Sequence, residues 1–101
     1  MDDILTLIGE TPKVQDENGI WRGSPSNRDV YCKKHDITRA EFFGAGRNGL
    51  SPEFMLTVFA MDYHGERKCK FHGEQYNIYR TFRGETSDYI ELYCERTAGT
   101  N

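Results

Sequence analysis

The sequence predicts an all-β domain: a small barrel or sandwich of six or seven short strands with one short helical turn and long projecting loops. The chain has 101 residues, which allows a single domain over 1–101. Six Tyr, six Phe and one Trp supply much of its apolar content, and Tyr and Phe favour the half-buried face of a sheet. Short alternating apolar segments separated by turn residues are typical of small barrels and sandwiches.

The first strand is predicted over residues 4–10, where Thr11-Pro12 ends it. Residues 13–22 predict a projecting hairpin that is mobile in the free protein, because Asn-Gly is a strong two-residue hairpin signal. Trp21 in this hairpin is either an exposed interface anchor or a core residue. The residues expected to form an interface are Asp16, Glu17, Asn18, Gly19, Ile20 and Trp21.

Residues 23–27 have the composition of a loop, and 28–36 predict a strand with one solvated face. Thr38-Arg39-Ala40-Glu41 then matches a capping box, which predicts that a helix begins at Arg39. Three glycines, Gly44, Gly46 and Gly49, weaken that helix. We therefore expect a helical turn that runs into a flexible loop over 42–52.

Residues 54–63 form the most apolar segment, with apolar side chains on both faces. It predicts a strand buried on both sides, inside a barrel or at a subunit contact. Residues 69–82 predict a second hairpin, and 89–95 predict a last strand with alternating faces. The polar residues 97–101 are expected to be frayed.

Charge and hydropathy exclude several classes of protein. The net charge is −3 and neither half is a basic block, so no electrostatic signature of nucleic-acid binding is present. No apolar stretch is long enough for a transmembrane helix, and the acidic start, Met1-Asp2-Asp3, predicts no signal peptide. Three widely spaced cysteines suit a reducing compartment and free thiols.

Two Cys-x-x-His pairs, Cys32/His35 and Cys69/His72, suggest a zinc site, for which Cys94 and His64 would be further ligands. Residues three apart on a strand point to opposite faces, so each pair could chelate a metal only at a turn. His72 lies beside Gly73 and could do so, whereas Cys32/His35 lies within a predicted strand. We expect no metal and no disulfide to be needed for folding. Gly44–Gly49 matches G-x-G-x-x-G but follows a helix, whereas a dinucleotide site follows a strand. Any chain with cysteines, histidines and acids offers nucleophilic combinations. The sequence therefore predicts no enzyme and no cofactor.

A basic cluster leaves an alternative function open. Arg67, Lys68 and Lys70 are followed by Arg80 and Arg83. Aromatic residues alternate with these bases, namely Phe71, Tyr76, Tyr79 and Phe82. Barrels of the OB type that bind single-stranded nucleic acid combine such features. The surrounding acids offset the basic residues, however, so a solvated charged face is the better explanation of the cluster.

Three stretches of the chain carry distinctive motifs. Arg39–Ala45 matches R-x-E-F-[YF]-x-A, Phe71–Arg80 matches [FY]-x-G-x-x-Y-x-I-x-R, and Ile90–Leu92 matches I-E-L in the last strand. An apolar strand that ends near an aspartate, Phe54–Asp62, follows the first of them. With these motifs in this order, the chain resembles the head-closure (stopper, or head–tail joining) proteins of tailed bacteriophages. The layout extends over 4–96, but the distinctive motifs lie within 38–96.

The resemblance implies a structural protein of the virion neck, assembled in the host cytoplasm. Copies would form a dodecameric or hexameric ring beneath the portal and its adaptor protein ring, and would bind the tail terminator or tail tube proteins. The ring would seal the channel through which the packaged double-stranded DNA passes, with no membrane involved. The implied channel-closing loop is Phe42, Phe43, Gly44, Ala45, Gly46, Arg47, Asn48 and Gly49.

Overall fold

A computed structural model describes residues 2–10, 14–15, 21–22 and 25–96, with side chains over 2–9 and 27–96. The elements in chain order are β1 Asp3–Glu10, β2 Val14–Gln15, β3 Trp21–Arg22, β4 Pro25–Asp36, α1 Arg39–Gly46, β5 Pro52–Phe59, a 3-10 helix Ala60–Asp62, β6 Lys68–Phe71, β7 Glu74–Phe82 and β8 Tyr89–Arg96.

Six of these strands close into an antiparallel barrel in the order β1-β4-β5-β8-β7-β6. β6 closes the barrel against β1, with Thr6 opposite Lys70. β5 and β6 follow each other in the chain but are not neighbours, so the chain crosses the barrel between them. The predicted fold class, a small β-barrel with one short helix, is confirmed.

Alternating side chains of the six strands fill the barrel interior. On β8, Leu92 and Cys94 are buried, as the predicted alternation requires. β5 was expected to be buried on both faces, but in the single chain only its inner face is fully buried: Leu56 and Val58 are buried, whereas Phe59 is exposed. The core residues are Leu5, Leu7, Val30, Cys32, Phe54, Leu56, Val58, Cys69, Phe71, Tyr76, Ile78, Leu92 and Cys94.

β4 begins at Pro25 rather than at residue 28, so the prediction of a loop over 23–27 is wrong for its last three residues. β1 continues to Glu10, and its last residues pair with Pro25, Ser26 and Asn27. Proline is compatible with the first position of a strand, where its missing N–H disrupts no ladder. Pairing with the end of β1 therefore makes residues 25–27 part of a strand, although their composition is typical of a loop.

The predicted hairpin over 13–22 is described only in part. Val14 and Gln15 pair with Arg22 and Trp21 in a small antiparallel sheet. Its turn, Asp16 to Ile20, and the side chain of Trp21 lie outside the described residues, as does the predicted frayed end, 97–101. The proposed interface role of the hairpin therefore stays a prediction.

The hairpin of β6 and β7 is confirmed, and its turn is tight. His72 has φ 51° and Gly73 has φ 83°, which are the two positive values that a type I′ turn requires. His72 stacks on Phe71, and its Nε2 lies 2.7 Å from Asp3 Oδ1. That contact attaches the turn to the start of β1.

Candidate functional site

The helix between β4 and β5 carries the first of the sequence motifs. Thr38 is its N-cap, and the Glu41 N–H donates to Thr38 Oγ1 over 3.1 Å. This contact confirms half of the predicted capping box. Ala45 is buried, whereas Phe42 and Phe43 are exposed and meet edge to face with their ring centroids 5.8 Å apart.

The predicted flexible loop over 42–52 is wrong in its first half, because the helix continues through Gly46. After it the chain closes a Schellman motif: the Leu50 N–H donates to the Ala45 carbonyl over 3.1 Å, and the Gly49 N–H donates to the Gly46 carbonyl over 3.0 Å. Gly49 has φ 78°, as the position after such a helix requires. These bonds outweigh the low helix propensity of glycine.

Of the expected channel-closing residues, Phe42 to Gly46 are therefore helical, and Arg47, Asn48 and Gly49 form the turn that ends the helix. Arg47 and Asn48 are exposed at its tip. The G-x-G-x-x-G pattern spans the same turn. The N–H groups of residues 47–50 donate to carbonyls of the helix itself, so they do not form a phosphate cradle.

Glu41 joins this helix to the barrel. Its carboxylate accepts a hydrogen bond from the Tyr79 hydroxyl over 2.7 Å and from Arg80 Nε over 3.2 Å, and Arg80 Nη2 donates to its second oxygen. The Arg80 guanidinium also lies over the Tyr93 ring, 3.9 Å from the centroid. We call these four residues the Glu41 cluster.

The cluster shifts the acid–base behaviour of its members. Hydrogen bonding from Arg80, opposed by burial and assisted by Tyr79, lowers the pKa of Glu41 below its ordinary value. Burial and the neighbouring Glu41 carboxylate raise the pKa of Tyr79. Glu41 therefore stays ionised and Tyr79 stays protonated at neutral pH. Both are engaged with each other, so the arrangement positions the helix and offers no free general base.

The Glu41 cluster brings together two of the sequence motifs, since Glu41 belongs to Arg39–Ala45 and Arg80 ends Phe71–Arg80. The capping-box pattern identified Glu41, but no spacing in the sequence identified its partners. An open depression beside the cluster is lined in part by Gly44, Asn48 and Leu50.

Each Cys-x-x-His pair has its cysteine in the core and its histidine nearer the surface. Cys32 and Cys69 point into the barrel and are fully buried. His35 is only partly buried, and His72 lies exposed in the β6–β7 turn. Among the described residues, no group of three or more His, Cys, Asp or Glu side chains is placed to hold a metal ion.

Most of the aromatic residues that alternate with the basic cluster in the sequence are not exposed for stacking. Phe71 and Tyr76 are core residues, and Tyr79 is half-buried in the Glu41 cluster. Phe82 is exposed, and Arg67, Lys68 and Lys70 are exposed on or just before β6. Base stacking on successive aromatic rings, on which single-strand binding depends, is not available from Phe71 and Tyr76.

In the part of the chain that the structure describes, α1 and the 3-10 helix are both too short to cross a bilayer. In comparisons with known proteins, no family model matches the chain and no curated protein matches it.

Proposed function

We propose that this chain is a head-closure protein of a tailed bacteriophage, a structural component of the virion neck and not an enzyme. Its copies form a ring beneath the portal and the adaptor ring. The ring seals the channel after DNA packaging and provides the surface to which the tail binds.

The contact between Glu41 and Arg80 carries this proposal. The two stretches with the most distinctive resemblance, Arg39–Ala45 and Phe71–Arg80, lie far apart in the sequence, yet their charged residues meet in one cluster. The two motifs therefore supply the two sides of one contact, which links the helix to the barrel. A small closed barrel with one helix is also the fold that the resemblance implies.

In this proposal the channel is closed by α1 and its terminal turn, residues Phe42–Gly49, and not by a flexible loop. Phe42 and Phe43 are exposed on the helix and Arg47 is exposed at its tip. Copies of the helix converging on a ring axis would bring these groups together. Opening then requires the helix to move as a body, which separates Glu41 from Arg80.

The proposal is tested by deleting the gene for this chain from the particle-forming genome that encodes it and examining the products by electron microscopy. We expect heads that have lost their DNA and free tails, with joined particles restored by the wild-type gene. A complementing F42S/F43S variant should join tails but retain less DNA before they attach. DNA-filled, tailed particles in the absence of the chain contradict the proposal.

A second measurement tests the alternative function, a module that binds single-stranded nucleic acid. Titration of the purified chain with an oligonucleotide at two salt concentrations would reveal it as affinity that falls steeply with salt. The burial of Phe71 and Tyr76 and the net charge of −3 predict no such binding.

A further inference from the structure

The barrel is complete without α1. Its six strands close on each other. Ala45 is the one buried residue of the helix, and it does not belong to the cluster of core residues. The helix packs against β5 and supplies none of the strand pairing. It can therefore leave while the ring of strands stays closed.

A single side chain makes the polar attachment of α1 to the strands. Within 38–50, all of which the structure describes, only Glu41 forms a side-chain hydrogen bond or ion pair with the described part of the barrel. Its partners are Tyr79 and Arg80 of β7. The other side-chain hydrogen bonds of the segment are internal to it, such as the cap that Thr38 forms.

The connection between β5 and β6, residues 60–67, is held by several contacts instead. Glu66 anchors it, because its carboxylate accepts hydrogen bonds from Arg28 Nη2 over 2.5 Å and from the His64 N–H over 2.8 Å. Arg28 also donates to the Asp62 carbonyl over 2.8 Å. Since α1 has one tie of this kind, we expect it to separate from the barrel more easily than this connection does.

The groups that hold Glu41 all belong to the barrel. A β-bulge between Ile78 and Arg80 inserts Tyr79 as an extra residue on β7, so the side chains of two consecutive residues reach one carboxylate. The Arg80 guanidinium lies over the Tyr93 ring, 3.9 Å from its centroid. A guanidinium and a hydroxyl are strong donors to a carboxylate. Because neither the bulge nor the ring belongs to α1, these donors stay in place when the helix leaves.

The other acids on this side of the barrel have donors of their own. Glu91 accepts a hydrogen bond from the Tyr93 hydroxyl over 2.6 Å, and Glu95 accepts one from the Ser51 N–H over 3.3 Å. Neither acid is among the groups that shift the pKa of Glu41. A carboxylate is therefore favoured beside Tyr79, although acids follow on the same face of β8.

A carboxylate from outside can reach Arg80 while α1 is still in place. The Arg80 side chain is 44% exposed and adjoins an open depression lined by residues of α1 and β7. A guanidinium has five N–H groups, and the bonds to Glu41 use only those at Nε and Nη2. An incoming carboxylate can therefore bind a free N–H group before it takes the place of Glu41.

We infer that α1 is a lid over a carboxylate-binding site on the barrel. Glu41 fills this site while the lid is closed, and an acidic side chain of another protein fills it when the lid is open. The two carboxylates compete, so partner binding and lid opening favour each other. The inference rests on the proposed function, in which α1 moves to open the channel, and it names the chemistry that holds the helix open.

The test measures how fast a thiol reagent modifies the variant Ala45→Cys, whose new thiol lies under the lid. The three native thiols are buried in the barrel and report its unfolding in the same sample, with each site resolved by mass spectrometry. We expect the introduced thiol to react several-fold faster than the native ones. Its rate should also depend little on low urea concentrations, because opening a lid exposes less surface than unfolding.

Glu41→Gln in the same background should raise the rate of the introduced thiol several-fold. Glu53→Gln is the matched control, because Glu53 and Arg96 form an exposed pair at 3.8 Å, and it should leave that rate unchanged. The inference is overturned if the introduced and native thiols react equally fast with the same urea dependence, or if Glu41→Gln has no effect.

Sodium acetate serves as the probe of the carboxylate site, with sodium chloride at the same concentration as the reference. Acetate should raise the rate of the introduced thiol above the chloride value, because it binds the open form. In Ala45→Cys/Arg80→Met the two salts should act alike. Equal rates in the two salts while Arg80 is present overturn the inference.

Hydrogen exchange of the wild-type chain tests the lid without the cysteine substitution. A helix of eight residues is unstable without packing, so the amides of α1 should exchange well before those of β5, and faster in acetate than in chloride. Exchange of α1 and β5 at one rate overturns the inference. Because purified protein is used, a closed α1 refutes only the lid, whereas a lid in a protein absent from phage necks refutes only the proposed function.

Discussion

At the scale of single residues, Glu41 has two roles in different parts of the molecule. Its backbone N–H is capped by Thr38, and its carboxylate accepts hydrogen bonds from Tyr79 and Arg80 on β7. The sequence motif predicts the first role because capping is local. The second role depends on closure of the barrel, which no local pattern contains.

Glu41→Gln should lower the free energy of unfolding at neutral pH by about 1–2 kcal/mol, because hydrogen bonds to a charged group are lost in a partly solvated site. The pKa of Glu41 is lowered from its ordinary value of 4.5 by Arg80. Its stabilising contribution is therefore complete above pH 4.5 and is lost as the pH falls through the folded-state value.

Urea unfolding at neutral and acid pH checks this. The difference between wild type and Glu41→Gln should shrink in acid. Glu53→Gln is the control, since Glu53 and Arg96 form an exposed pair at 3.8 Å, and it should change stability little. A difference between wild type and Glu41→Gln that is independent of pH would contradict the role of the charge.

The three cysteines should be unreactive in the folded protein. Burial, with a smaller effect from Asp3, raises the pKa of Cys32 to about 12. Hydrogen bonding with Cys69, together with burial, raises the pKa of Cys94. Because the thiolate is the reactive form, a thiol reagent should modify all three cysteines in denaturant and react only slowly with native protein. Rapid modification of the native chain would contradict the burial of these cysteines in the core.

At the scale of elements, the boundaries of α1 mark where sequence prediction fails. The sequence correctly places its start, because Thr38 and Glu41 form a local signal. Its end was placed too early because propensity counts each glycine as a cost. The Schellman motif, in which Gly49 provides the required positive φ, and the burial of Ala45 determine the actual end.

Two glycine substitutions in this element should have opposite effects. Gly49→Ala should destabilise the protein by about 1 kcal/mol, because φ 78° disfavours a Cβ although no atom lies within 4 Å of it. Gly44→Ala lies within the helix with equally open surroundings, and should stabilise by about 0.5–1 kcal/mol. Thermal unfolding of both variants measures the signs. If the two substitutions changed the stability by the same amount and in the same direction, the segment would not be a helix that ends at a glycine cap.

At the scale of the whole molecule, alternation and turn residues were sufficient to predict the fold class. The alternation of residues 89–95 predicted β8, and the turn residues His72 and Gly73 predicted the hairpin of β6 and β7. The sequence did not predict the β1–β6 contact that closes the barrel, with Thr6 opposite Lys70. Strand neighbours so distant in the chain leave no local pattern.

The central claim is that copies of this barrel form a ring in a virion neck. Electron cryomicroscopy of particles assembled from the genome that encodes the chain tests it most directly. We expect a ring of six-stranded barrels beneath the portal and adaptor, with the α1 helices directed toward the channel axis. A neck in which that position is occupied by another protein, with this chain absent from purified particles, would contradict the claim.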